Sequence, residues 1–242
     1  MHDEACTHYD DMINNMMQGQ EFLEQTFGYK PSIGWHIDPF GHSNANPRLF
    51  ADMGFDAWFF ARMDYEDRVK RLANQEMQWV WRPMEQSLGD SVEIFTHTMQ
   101  TMYEWPDGYW YDERDFGDKS PVVSDPTLST FNADEKSASL RDFILDKSGH
   151  YLGNHLMIPW GGDFMYANAH LTFKSMDNQI EYFNSVYDDI TLVRSTPYMY
   201  LEALKAQDIA WPLKTDDMFP YADHRDEYWT GYFTSRANSK SQ

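Results

Sequence analysis

Short apolar segments alternate with amphipathic segments along most of this chain, and that alternation restricts the folds open to it. The apolar segments are typical of buried strands, and the segments between them carry apolar residues at helical spacing. The predicted strands are residues 32–37, 56–61, 78–81, 92–96, 155–159 and 190–194, and the predicted helices are residues 6–27, 46–53, 65–73, 133–147, 167–187 and 197–206. Strands and helices that alternate through right-handed crossovers form a parallel sheet, open or closed. The pattern therefore predicts an α/β fold.

Length and composition narrow the class of protein further. The 242 residues, 17% of them aromatic, suffice for one sizeable hydrophobic core. No apolar run approaches the roughly 20 residues of a membrane span, and the first residues lack the basic and apolar regions of a signal peptide. Cys6 is the only cysteine, so the sequence predicts neither an internal disulfide nor a cysteine-based zinc site.

The net charge of −20 bears on the partners that the chain can bind. A strongly acidic surface repels nucleic acid and anionic membranes, and the basic patches that such partners require are absent from the sequence. We therefore expect a neutral or cationic substrate, with no nucleic-acid or membrane partner.

The densest group of reactive side chains follows the first predicted strand. Asp38 lies between His36 and His42, where the apolar segment is interrupted by proline and glycine. A carboxylate at the C-terminal end of a parallel strand lies where α/β folds build their sites, so we expect Asp38 to face a pocket. The alternative is that Asp38 only caps the next helix.

Polar residues follow other predicted strands in the same way. Arg62, Asp163 and the pair Ser195-Thr196 each come directly after one of them. Because the carboxyl ends of parallel strands meet at one face of the fold, this placement predicts one shared pocket.

The motif Ile37-Asp38-Pro39-Phe40-Gly41-His42 closely resembles family 38 of the glycoside hydrolases, which includes the lysosomal-type α-mannosidases. The likeness continues in order through residues 49–67, 158–169, 195–200 and 216–236, and so covers nearly the whole chain. It implies an incomplete (β/α)7 barrel of parallel strands. Residues 1–228 would form the partial catalytic barrel, and residues 229–242 would begin the helical middle domain.

The resemblance assigns roles to five residues. Asp38 matches the family's nucleophile, which is also a zinc ligand, and Asp163 matches the general acid/base. Arg62 matches the arginine that holds the nucleophile, and Phe40 matches an aromatic that lines the sugar pocket. Tyr103, in a long loop, matches the tyrosine that bonds to the acid/base.

Each assignment has a simpler alternative. Asp163 could form an Asx-turn in its glycine-rich loop, whereas Trp160, Phe164 and Tyr166 could instead desolvate its carboxyl group, as an acid catalyst requires. Arg62 could make a surface ion pair with a neighbouring carboxylate, Asp64 or Glu66. The tryptophans Trp35, Trp58, Trp105 and Trp110 are expected to serve packing rather than sugar binding.

A metal site has to be weighed at the same motif. His36 and Asp38 are two residues apart and would point to one side of a strand, which favours a shared metal. The resemblance argues against that interpretation. The family's other zinc ligands lie in a His-x-Asp pair well upstream of the nucleophile and in a downstream His-His-Asp block, and this chain matches neither of those flanking motifs. We therefore expect zinc with Asp38 as its one ligand here, and we expect His224 to be an exposed histidine.

The function implied is zinc-dependent, retaining hydrolysis of terminal α-mannose from glycans, in a lysosome or vacuole. We expect the chain to be a fragment that is inactive alone, with α-mannosyl oligosaccharides, the rest of the same polypeptide or a second copy as partners. One alternative is a non-catalytic mannose-binding subunit without metal. A second, a metal-dependent polysaccharide deacetylase, requires a His-x-x-x-His motif, which the sequence lacks.

Overall fold

The computed structural model describes residues 1–103, 105–109, 111 and 120–240. The chain forms two compact units. The first comprises Met1–Met102, His150–Gly153 and Leu201–Gln242, and the second comprises Tyr103–Gly149 and Asn154–Tyr200. None of the described helices is long and apolar enough to cross a lipid bilayer.

The first unit contains the sheet. Its strands are β1 (Ile33–Trp35), β2 (Ala57–Phe60), β3 (Gln78–Trp81), β4 (Ile94–Thr98) and β5 (Leu213–Lys214), and its helices are α1 (Tyr9–Phe27), α2 (Ala45–Asp52), α3 (Tyr65–Asn74), α4 (Glu85–Leu88) and α8 (Ala237–Lys240). A 3₁₀ turn covers Gly231–Phe233. The second unit contains α5 (Ala133–Ser148) and α6 (Ala169–Val186), and α7 (Pro197–Lys205) runs from the second unit into the first.

The strand order is β1-β2-β4-β3-β5. β1, β2 and β4 are parallel, which confirms an α/β fold with a mostly parallel sheet. β3, however, is antiparallel to β4, so the prediction that all strands are parallel is wrong. The connection between them contains only the short helix α4, and Arg82 and Glu93 form an ion pair at 2.6 Å across its ends. A connection this short returns the chain beside the strand it left, as in a hairpin.

The predicted strands at 155–159 and 190–194 are also wrong, because neither segment is in a strand. Leu156, Ile158, Ile190 and Leu192 are half-buried against the hydrophobic cluster of the second unit. The main-chain N–H and C=O of Leu192 bond to the side chain of Asn184 at 2.8 Å instead of to a neighbouring strand. These apolar runs therefore pack against a core without joining a sheet.

Aromatic side chains fill the core of the sheet. All four residues of β2 are buried, as expected for a central strand covered on both faces. Trp58 of β2 stacks on Trp81 of β3 with ring centroids 5.4 Å apart, and both side chains are fully buried. This packing confirms the prediction for Trp58, and Trp105 is likewise buried in the second unit.

A short excursion of the chain links the two units covalently. After α5, residues His150–Gly153 join the first unit before the chain returns to the second. His150 Nδ1 lies 3.0 Å from the Leu72 carbonyl, and the Tyr151 hydroxyl donates to the Thr98 carbonyl at 2.9 Å. These bonds attach the excursion to α3 and β4.

Lys147 of α5 is buried. Leu140 and Ile144 of α5 pack with Phe183 of α6, and Lys147 lies on the same helix as the first two, 3% exposed. Burial lowers the pKa of Lys147 to about 8.

We predict that Lys147→Met flattens the pH dependence of the protein's stability. The folded chain releases this proton near pH 8, whereas the unfolded chain holds it to about pH 10.5. The unfolded state therefore binds more protons between those values, and stability rises with pH there. The part of this rise that Lys147 contributes should be roughly 3 kcal/mol or less. Urea unfolding at pH 7 and pH 10 measures the slope.

Lys174→Met is the matched control, because Lys174 is exposed on α6. It should change neither the stability nor its slope with pH. Equal slopes for the two variants would contradict the account of Lys147.

Candidate active site

The register of β1 and β2 brings Asp38 and Arg62 together. Trp35 of β1 is paired with Phe59 of β2, and the His36 N–H extends the ladder to the Phe59 carbonyl at 2.8 Å. Asp38 lies three residues beyond Trp35, and Arg62 lies three residues beyond Phe59. Because the two strands are parallel, both side chains emerge side by side at the C-terminal ends.

The Arg62 guanidinium forms an ion pair with one carboxylate oxygen of Asp38. Its Nε lies 2.7 Å and its Nη2 2.6 Å from Oδ1, and Nε also lies 3.0 Å from the Asp38 carbonyl oxygen. The Arg62 side chain is 13% exposed, whereas that of Asp38 is 41% exposed. The predicted contact between the two residues is therefore present, and it leaves the carboxylate accessible from solvent.

Asp64 and Glu66, the alternative partners predicted for Arg62, belong to the start of α3. The Asp64 carboxylate accepts hydrogen bonds from the N–H groups of Glu66 and Asp67, at 3.0 and 3.3 Å, and so caps the helix. This cap begins α3 directly after the strand, which confines Arg62 to a short and rigid connection.

Three aromatic rings surround the guanidinium. Its Cζ lies 4.7 Å from the ring centroid of Trp229, 5.6 Å from that of Phe40 and 5.9 Å from that of Tyr221. Phe40 also packs on Trp229 at 5.0 Å and on Tyr232 at 5.4 Å. We call Phe40, Tyr221, Trp229 and Tyr232 the aromatic cluster. It adds cation–π contacts to the ion pair and fixes the plane of the guanidinium.

Phe40 was predicted from the sequence to line the pocket, whereas Tyr221 and Trp229 were not. Both lie in the block 216–236 that carried the family resemblance, so the block itself was the available signal. Arg62 Nη1 lies 3.5 Å from the Tyr221 hydroxyl, which donates to Asp223 Oδ1 at 3.0 Å. Burial raises the pKa of Tyr221, so its hydroxyl keeps the proton it donates. Burial opposes the charge of Arg62, but its bonds to Tyr221 and Asp38 raise its pKa overall.

The two histidines of the motif do not lie with Asp38. His36 and His42 are fully buried, and His36 Nε2 lies 3.4 Å from the Glu4 carboxylate. Burial holds the pKa of His36 well below its ordinary value, so this ring is neutral. The expectation that His36 and Asp38 point to one side is wrong, because the strand ends at Trp35 and the following residues turn.

A zinc site requires several ligand atoms close to one another. Within the part of the chain that the structure describes, one group of three has its ligand atoms within 4.8 Å of one another, and it consists of Asp223, His224 and Glu227. His224 and Glu227 are exposed, Asp223 is half-buried, and the group does not include Asp38. The His224 side chain is 72% exposed, as predicted. Asp38 offers a carboxylate of the kind that zinc accepts, and further ligands would have to come from other parts of the protein.

Gly41 allows the loop after Asp38 to approach a neighbouring segment. Its φ is +104°, and a Cβ at this position would overlap the ring of Phe219. The next residue, His42, pairs with Met218 through two main-chain hydrogen bonds of 3.1 and 3.0 Å. A side chain at position 41 would therefore disturb both the loop and the segment that contains Met218 and Phe219.

The second unit carries Asp163 in a strained loop. Phe164 and Tyr166 have φ values of +62° and +64°, in the left-handed region. Tyr166 stacks on Trp105 at 5.8 Å and donates its hydroxyl to the Trp160 carbonyl at 2.5 Å. Strained backbone of this kind is found disproportionately at functional sites.

Asp163 itself is exposed, which corrects the expectation that aromatic neighbours desolvate it. Phe164 points outward and is 79% exposed, while Trp160 and Tyr166 pack on Trp105 instead. Tyr103 is half-buried in the same unit, and its bond to Asp163 stays a prediction. Trp110 lies outside the described residues, and Trp35 is partly exposed.

The sheet and the Asp38–Arg62 pair define an α/β protein whose reactive side chains lie at the C-terminal ends of parallel strands. The chain belongs to the glycosyl hydrolases of family 38, since residues 1–224 match the N-terminal domain of that family. It is 42% identical over 238 residues to the lysosomal alpha-mannosidase of Dictyostelium discoideum, covering 98% of this chain and 23% of that protein. It is 38% identical over 241 residues to the lysosomal alpha-mannosidase of Homo sapiens, covering 98% of this chain and 24% of that protein.

The chain therefore spans about a quarter of the length of these curated relatives. Its fold is similar to that in the crystal structure of an alpha-mannosidase from Enterococcus faecalis V583, with a TM-score of 0.64 and 16% sequence identity. That likeness covers 90% of this chain and 21% of the other.

We predict that Gly41→Ala destabilises the protein by about 2 kcal/mol or more, because the new methyl group meets the Phe219 ring and the backbone is strained. Gly54→Ala is the control: its φ is +85°, but nothing lies within 4 Å of the added Cβ. Thermal unfolding of both variants separates the clash from the cost of a positive φ alone. Equal losses would show that the Phe219 contact is unimportant.

Proposed function

We propose that this chain forms part of the catalytic domain of a zinc-dependent retaining α-mannosidase that removes terminal α-mannose from glycans, in a lysosome or vacuole. The observation that carries the proposal is the accessible carboxylate of Asp38, held through Oδ1 by Arg62 inside the aromatic cluster. Family membership supports the same reaction.

Asp38 is the proposed nucleophile. A retaining glycosidase needs an ionised carboxylate that attacks the anomeric carbon. The guanidinium at 2.6 Å stabilises that anion and fixes its direction. The rings of Phe40 and Trp229 beside it offer apolar faces of the kind that pack against sugar rings.

Asp163 is the proposed general acid and base. As a carboxylate oxygen of Asp38 bonds to the anomeric carbon, the glycosidic bond breaks and Asp163 transfers its proton to the leaving oxygen. Asp163 then accepts a proton from water, whose oxygen bonds to the anomeric carbon while the bond to Asp38 breaks. The strained loop around Asp163 supports this assignment.

Asp38 is the proposed zinc ligand of this chain, together with ligands from the rest of the polypeptide. Bound zinc would hold hydroxyl groups of the mannose. Arg62 would keep the Asp38 carboxylate oriented whether or not the metal is present, because it contacts both Oδ1 and the main-chain carbonyl.

A non-catalytic mannose-binding subunit is the second candidate. Among the described residues, no group of three ligands includes Asp38, which favours it. The ion pair with Arg62 favours catalysis instead, because sugar binding alone does not require an oriented anion.

We predict that a polypeptide carrying this segment together with the family's flanking zinc-ligand motifs hydrolyses p-nitrophenyl α-mannoside. Asp38→Asn should lower kcat by about 10³-fold or more, because the nucleophile is lost. Asp163→Asn should lower it by about 10²- to 10⁴-fold. Asp52→Asn, at an exposed carboxylate on α2, is the control and should leave kcat unchanged.

The 242-residue chain alone should hydrolyse none of this substrate, with or without added zinc. Mannose binding by the longer polypeptide without any hydrolysis would favour the second candidate. Full activity of the Asp38→Asn variant would overturn the assignment of the nucleophile.

The geometry of the two carboxyl groups is a separate prediction. In a crystal structure of the longer polypeptide with a bound mannose analogue, the carboxyl groups of Asp38 and Asp163 should lie about 5–5.5 Å apart on either side of the anomeric carbon. A separation of about 6.5–9.5 Å would indicate an inverting enzyme instead.

A further inference from the structure

A glutamate close to the start of the chain is buried beside the strand-end motif. The Glu4 side chain is 0% exposed. Its Oε2 lies 2.6 Å from His42 Nδ1, and its Oε1 accepts a hydrogen bond from the Ser43 N–H at 3.0 Å. One carboxylate therefore fixes both the ring of His42 and the main chain that follows it.

The other nitrogen of His42 reaches the residue that holds Asp38. His42 Nε2 lies 3.0 Å from the main-chain carbonyl of Arg62. A carbonyl oxygen only accepts, so Nε2 carries a proton and donates it. The His42 ring also packs against Phe60 and Trp58, with ring centroids 4.2 and 5.2 Å apart, and these contacts restrict its position.

The proton count of the buried pair follows from that bond. With Nε2 protonated, the contact between Nδ1 and Glu4 contains one further proton, on either the ring or the carboxyl group. Both arrangements make the pair neutral overall, which is the condition under which such a pair tolerates burial. Burial raises the pKa of Glu4, in agreement with a shared proton.

A buried polar pair is seldom needed for stability alone. Apolar residues of similar volume often give equal or greater stability, whereas removal of one partner is costly. The directional bonds of Glu4 and His42 end at the Arg62 carbonyl, and the Arg62 side chain ends at Asp38 Oδ1.

We infer that Glu4 and His42 are positioning residues for the proposed nucleophile: hydrogen bonds from Glu4 through His42 fix the main chain of Arg62, and Arg62 in turn fixes Asp38. This inference rests on the proposed function. Glu4 and His42 would thus belong to the site without touching the substrate.

The first test uses two replacements of Glu4 in the longer polypeptide. Glu4→Gln keeps the shape, an oxygen for Ser43 and an amide that can donate to His42 Nδ1, so it should retain kcat within about 5-fold. Glu4→Met keeps the volume but loses both bonds, so it should lower kcat by about 10- to 100-fold, as for other residues that orient a reactive group. KM for p-nitrophenyl α-mannoside should change less than kcat in both variants.

The second test uses two replacements of His42. The Gln amide reaches the position of Nε2 and can donate to the Arg62 carbonyl, whereas the shorter Asn amide stays near Nδ1 and Glu4. His42→Gln should therefore retain more kcat than His42→Asn, measured well below the melting temperature of either variant. Losses of kcat that follow the melting temperature alone would overturn the inference.

Hydrogen exchange gives a readout that does not depend on activity. In Glu4→Met, but not in Glu4→Gln, peptides covering residues 36–46 and 60–66 should exchange faster, while Asp52→Asn leaves both unchanged. Unchanged exchange over residues 60–66 in Glu4→Met would overturn the inference. If the unsubstituted polypeptide is inactive, the proposed function fails, and this exchange measurement still decides whether Glu4 positions Arg62.

Discussion

The pairing of β1 with β2 is the interaction on which the site depends. The two strands are only three and four residues long, yet their parallel register places Asp38 beside Arg62. A slip of one residue would turn every side chain of a strand to the opposite face. The buried stack of Trp58 on Trp81 opposes such a slip, because the stack would be broken and a large ring would have to fit into the packed core on the opposite face of the sheet.

Several polar groups beside β1 and β2 are buried, and the loss of their hydration lowers the stability of the fold. Arg62 is largely removed from water and compensated by Asp38 and three rings, and Glu4 is removed completely and compensated by His42 and Ser43. Each group has partners of complementary charge or hydrogen-bonding capacity, as buried polar groups require. The site is thus a small polar network inside an aromatic shell.

Much of this organisation could be predicted from the sequence, because it is local. The strand before Asp38, the strand before Arg62, the helices α1 to α3 and the helices α5 to α7 follow from apolar spacing and from breaks at proline and glycine. The family resemblance located Asp38 and Asp163, which periodicity alone could not distinguish from capping residues. The barrel itself and the roles of these residues stay predictions.

Other features depend on contacts between distant residues and left no local pattern. The direction of β3 depends on a short connection whose ends are joined by the ion pair of Arg82 and Glu93. In the apolar run at 190–194, the main-chain N–H and C=O of Leu192 form hydrogen bonds with the Asn184 side chain and not with a neighbouring strand. Glu4 is one of many acidic residues in a chain of charge −20, so its burial could not be recognised before its partner His42 was located. The exposure of Asp163 likewise depends on distant contacts, because the rings of Trp160 and Tyr166 pack against Trp105 and not against Asp163.

The excursion His150–Gly153 has a consequence for how the chain can be cut. Because these four residues return to the first unit between two segments of the second, the second unit is joined to the first by four covalent crossings of the chain. A single proteolytic nick in either segment leaves every piece covalently attached to residues of the first unit. Limited digestion should therefore yield nicked chains long before it yields a released domain.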